Sequence, residues 1–181
     1  MDNLAKGAML IQLVKIIKAN KTGAYDNLLT EETVEVIKQR ILPSSWYPYE
    51  VYKNCINAVT VVEGKSNMET VHSWGHVEGQ RTFTEVYKIF VAKTEPKIAL
   101  EKFARFRKLM FTVGDIKLEN FTETSADIRY MGFDPEFQSY YYMSRGWAEK
   151  FLELCIDQKV SSEFIAKSWE GAKNTIIRLL W

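Results

Sequence analysis

The sequence predicts an α+β fold, with an N-terminal helical part followed by a four-stranded antiparallel sheet made of two β-hairpins flanking a long central helix. Three observations predict it. Apolar residues recur at helical spacing from about residue 4 to residue 110. The segments 115–130 and 162–181 alternate in the strand manner around polar turns. Between them, 136–157 carries Phe137, Tyr140, Tyr141, Ser144, Trp147, Phe151 and Leu154 along one helical stripe, with small Gly146 and Ala148 at its middle.

Residues 4–19 place Met9, Leu10, Leu13, Val14, Ile16 and Ile17 on a broad helical face, and Asn20–Gly23 stops that helix. Thr30 caps a second helix through about Ile41, with Leu29 and Val34 spaced as a hydrophobic staple. Residues 43–48 form a loop leading to a third helix over Tyr49–Val62. Ser66 and Glu69 have capping-box spacing and open a fourth helix, in which Gly75 and Gly79 predict a bend or a tight crossing near His76. A fifth helix, from Thr94-Glu-Pro96, carries Ala99, Phe103, Phe106 and Met110 on one face. The strands follow at Asp115–Asn120 and Ala126–Tyr130, then at Ser162–Trp169 and Thr175–Trp181 after the long helix. No repeat, linker or low-complexity run interrupts the pattern, so residues 1–181 read as a single domain.

Composition narrows the function. Apolar residues make up 46% and charged residues 26%, ordinary values for a globular protein. Lys plus Arg (24) balances Asp plus Glu (23), so no global basic field draws nucleic acid or an anionic membrane. Cys55 and Cys155 lie far apart in apolar helical patterns and read as buried free thiols of a reducing compartment. The first apolar run is broken by Gln12 and Lys15, which fits neither a signal peptide nor a membrane span. The protein is read as cytoplasmic.

Several segments resemble known domains. Lys6-Gly7 before an apolar helix, then Gly23 and the Leu28-Leu29 pair, resemble the opening of heme nitric-oxide/oxygen-binding domains. Ser66 to Trp74-Gly75 resembles their helix that ends in an aromatic-Gly pair, and Tyr142-Met-Ser144-Arg145 resembles their Tyr-x-Ser-x-Arg stretch. The terminal hairpin ending in Trp181 also resembles 4-vinyl-reductase-type domains and a heme-free bacterial family of myxobacterial type. The resemblance implies a non-enzymatic small-molecule-binding or protein-interaction domain in bacterial regulation.

Two departures bear on heme. The relatives carry an axial His on the helix before the first hairpin, whereas Pro96–Met110 contains none. Arg145 follows Ser144 directly, leaving the propionate-binding motif one residue short. A heme needs an axial ligand and partners for its carboxylates, so no cofactor is expected. The Cys cluster of many vinyl-reductase-type domains is absent as well.

Candidate sites each have a plain structural alternative. Glu69, His72 and His76 share a helical face and could ligate a metal, but a second Glu-x-x-His is missing, and both imidazoles also suit packing or surface positions. Lys93, Lys97, Lys102, Arg105, Arg107 and Lys108 could seat an anion or form a solvated helix face. There is no Gly-x-Ser-x-Gly, and Glu149 and Glu153 fall on the expected solvated side of the long helix, so no catalytic residue is assigned. Tyr140, Tyr141, Ser144, Arg145 and Trp147 are the expected lining of a pocket for a small apolar ligand, or else core residues. The alternative function is a small reductase or metal-assisted hydrolase using His72 and His76. Tyr141, Tyr142, Trp46 and Tyr47 exceed what one core stripe needs, which predicts a homodimer.

Overall fold

The computed structural model describes residues 3–181 and follows the predicted order of elements. A short strand β1 (Leu4–Lys6) precedes helices α1 (Gly7–Ala19) and α2 (Glu31–Lys38). Strand β2 (Trp46–Pro48) leads into α3 (Tyr49–Val62), and α4 (Met68–Arg81) and α5 (Pro96–Met110) follow. The hairpin β3 (Asp115–Glu119) and β4 (Ser125–Met131) comes next, then α6 (Gln138–Ile156), then β5 (Ser161–Ala166) and β6 (Ile176–Leu180).

The chain gathers into two compact units, one of residues up to Met68 with Leu109–Val113, the other of Glu69–Lys108 with Gly114–Trp181. The chain passes between them at three points: at the first residue of α4, inside α5, and in the connection between α5 and β3.

In the first unit α1 and α2 both pack on α3. The Thr30 hydroxyl accepts from the Thr33 N–H, the expected cap of α2. A two-stranded sheet pairs Leu4 with Pro48 and Lys6 with Trp46, where the sequence suggested a helical turn and a loop. Three-residue strands carry too little alternation to register as a pattern, and only tertiary pairing fixes them.

In the second unit the four strands run in the order β3-β4-β6-β5, all antiparallel, so the two hairpins join through β4 and β6. Ala126, Ile128 and Tyr130 of β4 and Ile177 and Leu179 of β6 are buried, and α6 packs on β5 and β6. The other face bears charge ladders: Arg178 holds Asp127 through two hydrogen bonds (2.7 and 3.0 Å), and Arg129 pairs with Glu119.

Local boundaries differ in two places. Ser66 has φ +58°, a left-handed turn residue whose N–H donates to the Thr60 carbonyl, so α4 starts at Met68 and not from a Ser66 cap. A capping residue needs extended backbone, which Ser66 lacks. After Arg81 the chain takes a π turn (Thr82–Val86) and a 3₁₀ turn (Lys88–Phe90) before α5.

Candidate functional site

The sequence places two glycines on α4 and one on α6, and the structure uses them to bring the helices together. A Cβ on Gly75 would stand 2.2 Å from the Met143 carbonyl oxygen, and one on Gly146 would stand 2.2 Å from that of His72. Only hydrogen fits at either point. The tight crossing expected near His76 is therefore present, and α4 stays helical through it.

This contact stacks polar pairs in a ladder. Arg145 Nη2 lies 3.1 Å from Glu69 Oε2, His72 Nε2 lies 2.7 Å from Glu149 Oε2, and His76 Nε2 lies 3.2 Å from Glu153 Oε2. The pairs rise together, so the helices run in the same direction there. Arg145 Nη2 is also 3.3 Å from His72 Nδ1. An arginine can only donate, so Nδ1 accepts and the ring proton sits on Nε2, donating to Glu149. Glu149 is 5% exposed and takes a second hydrogen bond from the Ser162 hydroxyl on β5. Burial pushes the Glu153 carboxyl up, but hydrogen bonds from Lys150 and the Val160 N–H, with the Lys150 and His76 charges, outweigh it and hold the group below the usual carboxylate range.

These contacts correct one expectation. Glu149 and Glu153 are not on a solvated face; they are the partners of the two histidines. Their matched spacing, four apart on each helix, with Gly75 and Gly146 close by, was the available signal. Glu69 Oε2 lies 3.1 Å from Arg145 Nη2 and 3.7 Å from His72 Nδ1, each imidazole has a carboxylate of α6 beside it, and among the described residues no group of three or more His, Cys, Asp or Glu could hold a metal ion.

The order of groups in the ladder is not that of a nucleophilic relay. Glu149 stands between His72 and Ser162, whereas a nucleophilic relay needs the imidazole between hydroxyl and carboxylate. Ser162 donates to a carboxylate and has no imidazole base beside it.

The five residues expected to line a pocket have four sets of neighbours. Tyr140 and Ser144 join Tyr130 and Phe133, with the Ser144 hydroxyl 2.6 Å from that of Tyr130. Tyr141 is buried under Trp169 at a centroid distance of 5.5 Å, and its hydroxyl donates to the Asp134 carbonyl. Arg145 belongs to the ladder and also lies over the Tyr142 and Phe164 rings. Trp147 is half-buried against Phe83 and Phe106, and its Nε1 has no hydrogen-bond partner among the described residues. The stripe of α6 turns accordingly: Phe151 is fully buried, with Ala148 and Leu152 beside it in place of Trp147 and Leu154.

The other candidates disperse. Lys93 pairs with Asp157 and Lys108 with Asp115, while Arg107 is buried and donates to the Gly114 carbonyl at 2.7 Å. Of the four surplus rings, Tyr141 is buried, because its ring completes the packing of Tyr130 and Trp169. Trp46 stays 40% exposed with Lys6 Nζ over its ring, and the Tyr47 hydroxyl accepts from the Leu42 N–H. Both cysteines are free and buried. Among the described residues no helix is long and apolar enough to cross a membrane.

The architecture has solved counterparts. The chain is similar to an unliganded Fe(II) H-NOX protein from K. algicida, at 11% identity over 97% of this chain and 95% of that one, with a TM-score of 0.68. It is also similar to a mutant of the T. Tengcongensis H-NOX (15% identity, 97% and 96% covered, TM-score 0.62). A third is an S. oneidensis H-NOX protein in the Fe(II)NO ligation state (11% identity, 96% and 97% covered, TM-score 0.62). At these identities the likeness is one of fold. No protein-family model and no curated protein matches the sequence.

Proposed function

We propose that this chain is a heme-free, non-enzymatic sensory domain that uses the H-NOX fold to bind a small molecule. The observation that carries the reading is how α5 is used. In the resemblance drawn from the sequence, this helix holds the iron ligand; here it has no histidine. Its Phe106 ring packs against Phe83, Phe90 and Trp147 at centroid distances of 4.9, 5.5 and 5.8 Å, and Phe103 packs against Phe151 at 5.6 Å. The chain's two histidines are held by Glu149 and Glu153. Arg145, the cation nearest the position of the propionate motif, is committed to Glu69 and His72. These residues do not fit an iron porphyrin on α5.

The non-enzymatic part rests on the order of groups in the ladder, which leaves Ser162 without an imidazole base. Sensing needs only a ligand whose binding free energy differs between two states of the domain. Native mass spectrometry of the protein purified from its own host tests the reading. An organic ligand without iron porphyrin is the expected adduct; a stoichiometric iron porphyrin would overturn it.

A further inference from the structure

His72 sits where three elements of the second unit meet, and the charged groups around it do not balance. From α6, Glu149 Oε2 lies 2.7 Å from Nε2 and Arg145 Nη2 lies 3.3 Å from Nδ1. From α4 itself, Glu69 Oε2 stands 3.7 Å from Nδ1. From β5, the Ser162 hydroxyl donates to the same Glu149 carboxylate. One guanidinium thus faces two carboxylates, and the cluster is one proton short of neutral. The pair one turn on is built differently. His76 Nε2 lies 3.2 Å from Glu153 Oε2, and Lys150 Nζ already balances that carboxylate from 2.5 Å.

The contact at Nδ1 exists in only one protonation state. Neutral His72 accepts there from Arg145. A second ring proton turns Nδ1 into a donor and sets a positive ring against a guanidinium that can only donate. Glu69 is the acceptor at hand: its side chain is 63% exposed and can rotate. Closing from 3.7 Å to hydrogen-bond distance takes less than about 1 Å.

We propose that His72 is an acid-operated switch, in which the second ring proton breaks the Arg145 contact at Nδ1 and hands that nitrogen to Glu69. Imidazole suits the task, being the side-chain group that changes charge closest to neutral pH. The displaced guanidinium lies over the Tyr142 and Phe164 rings, which stand 5.5 and 5.3 Å from its Cζ. Phe164 and Ser162 both belong to β5, so the charge on the ring is felt at two points of an edge strand. The switch takes no ligand and goes beyond the sensory reading above.

The test is a pH titration of the isotope-labelled chain, followed by NMR of its side chains. At the alkaline end, His72 should carry its proton on Nε2. On acidification the Arg145 guanidinium and Phe164 ring signals should move with the His72 midpoint and not with that of His76. Glu69→Gln, an exposed change, should lower the His72 midpoint by about 0.2–0.7 pH unit, the size of one exposed ion pair. A neutral ring protonated on Nδ1 would overturn the proposal. So would Arg145 and Phe164 signals that stay flat or follow His76, an unchanged midpoint in Glu69→Gln, or a ring still neutral when the chain unfolds in acid.

Discussion

Replacing Gly146 by alanine should destabilise the protein, although alanine is the better helix former. In an exposed helix the exchange would stabilise by about 1 kcal/mol. Here the added Cβ would lie 2.2 Å from the His72 carbonyl oxygen and 2.6 Å from the His76 nitrogen. Both are backbone atoms of α4, so no side chain can rotate to relieve the overlap. The helices must part by roughly 1 Å to restore van der Waals contact. Overpacking of this kind costs about 1–3 kcal/mol. Parting also stretches the 2.7 Å contact between His72 and Glu149, and a hydrogen bond to a charged group contributes about 1.5–3 kcal/mol. Set against the propensity gain, the net loss is about 1.5–5 kcal/mol. Urea unfolding reads it as a lower midpoint at unchanged slope. Gly79→Ala is the control: its Cβ would meet Lys150 Cβ at 3.2 Å and backbone only at 3.4 Å, so it should stay within about 1 kcal/mol of the parent. A Gly146→Ala protein as stable as the parent would refute the close crossing.

Truncating the rings of α6 should rank by burial. Phe151→Ala should cost about 3–5 kcal/mol and half-buried Trp147→Ala less, both read by the same unfolding titration. Stability should fall in acid through Asp127, whose carboxyl burial pushes up but Arg178 and Asn120 hydrogen bonds hold below the usual range. Its folded pKa is depressed, so its contribution is complete above the unfolded value of about 3.9 and is lost as pH falls through the folded one. Asp127→Asn should flatten that acid limb, and an unchanged limb would remove Asp127 from the account. Thiol reagents should label neither cysteine in the native state, since burial pushes Cys55 up to about 12 and Cys155 upward as well. Fast labelling before unfolding would contradict this.

The long amphipathic elements were legible in the sequence because their periodicity is repeated over several turns. The reading of Tyr49–Val62 coincides with α3, and both hairpins fall within a residue or two of their strands, apart from the 3₁₀ turn after β5. What stayed hidden depends on partners distant in the chain. The β1–β2 pair is three residues a side, and Ser66 gave a capping signal that its left-handed backbone cancels. The ladder was missed because Glu149 and Glu153 look solvated when α6 is read by itself. Only the approach of α4 through Gly75 and Gly146 turns that face inward. Of the five expected pocket residues, Tyr140, Tyr141 and Ser144 meet around Tyr130, while Arg145 and Trp147 point to other neighbours, because consecutive positions on a helix point in different directions.

The central claim is that an H-NOX-like fold here works without heme, its histidines spent on holding two helices together. Adding hemin to the purified protein and recording the Soret region tests it most directly. The account predicts the spectrum of free hemin, with no saturable shift, and the same result for His72→Ala and His76→Ala. A sharp Soret band saturating at one equivalent, and lost when either histidine is replaced, would contradict it.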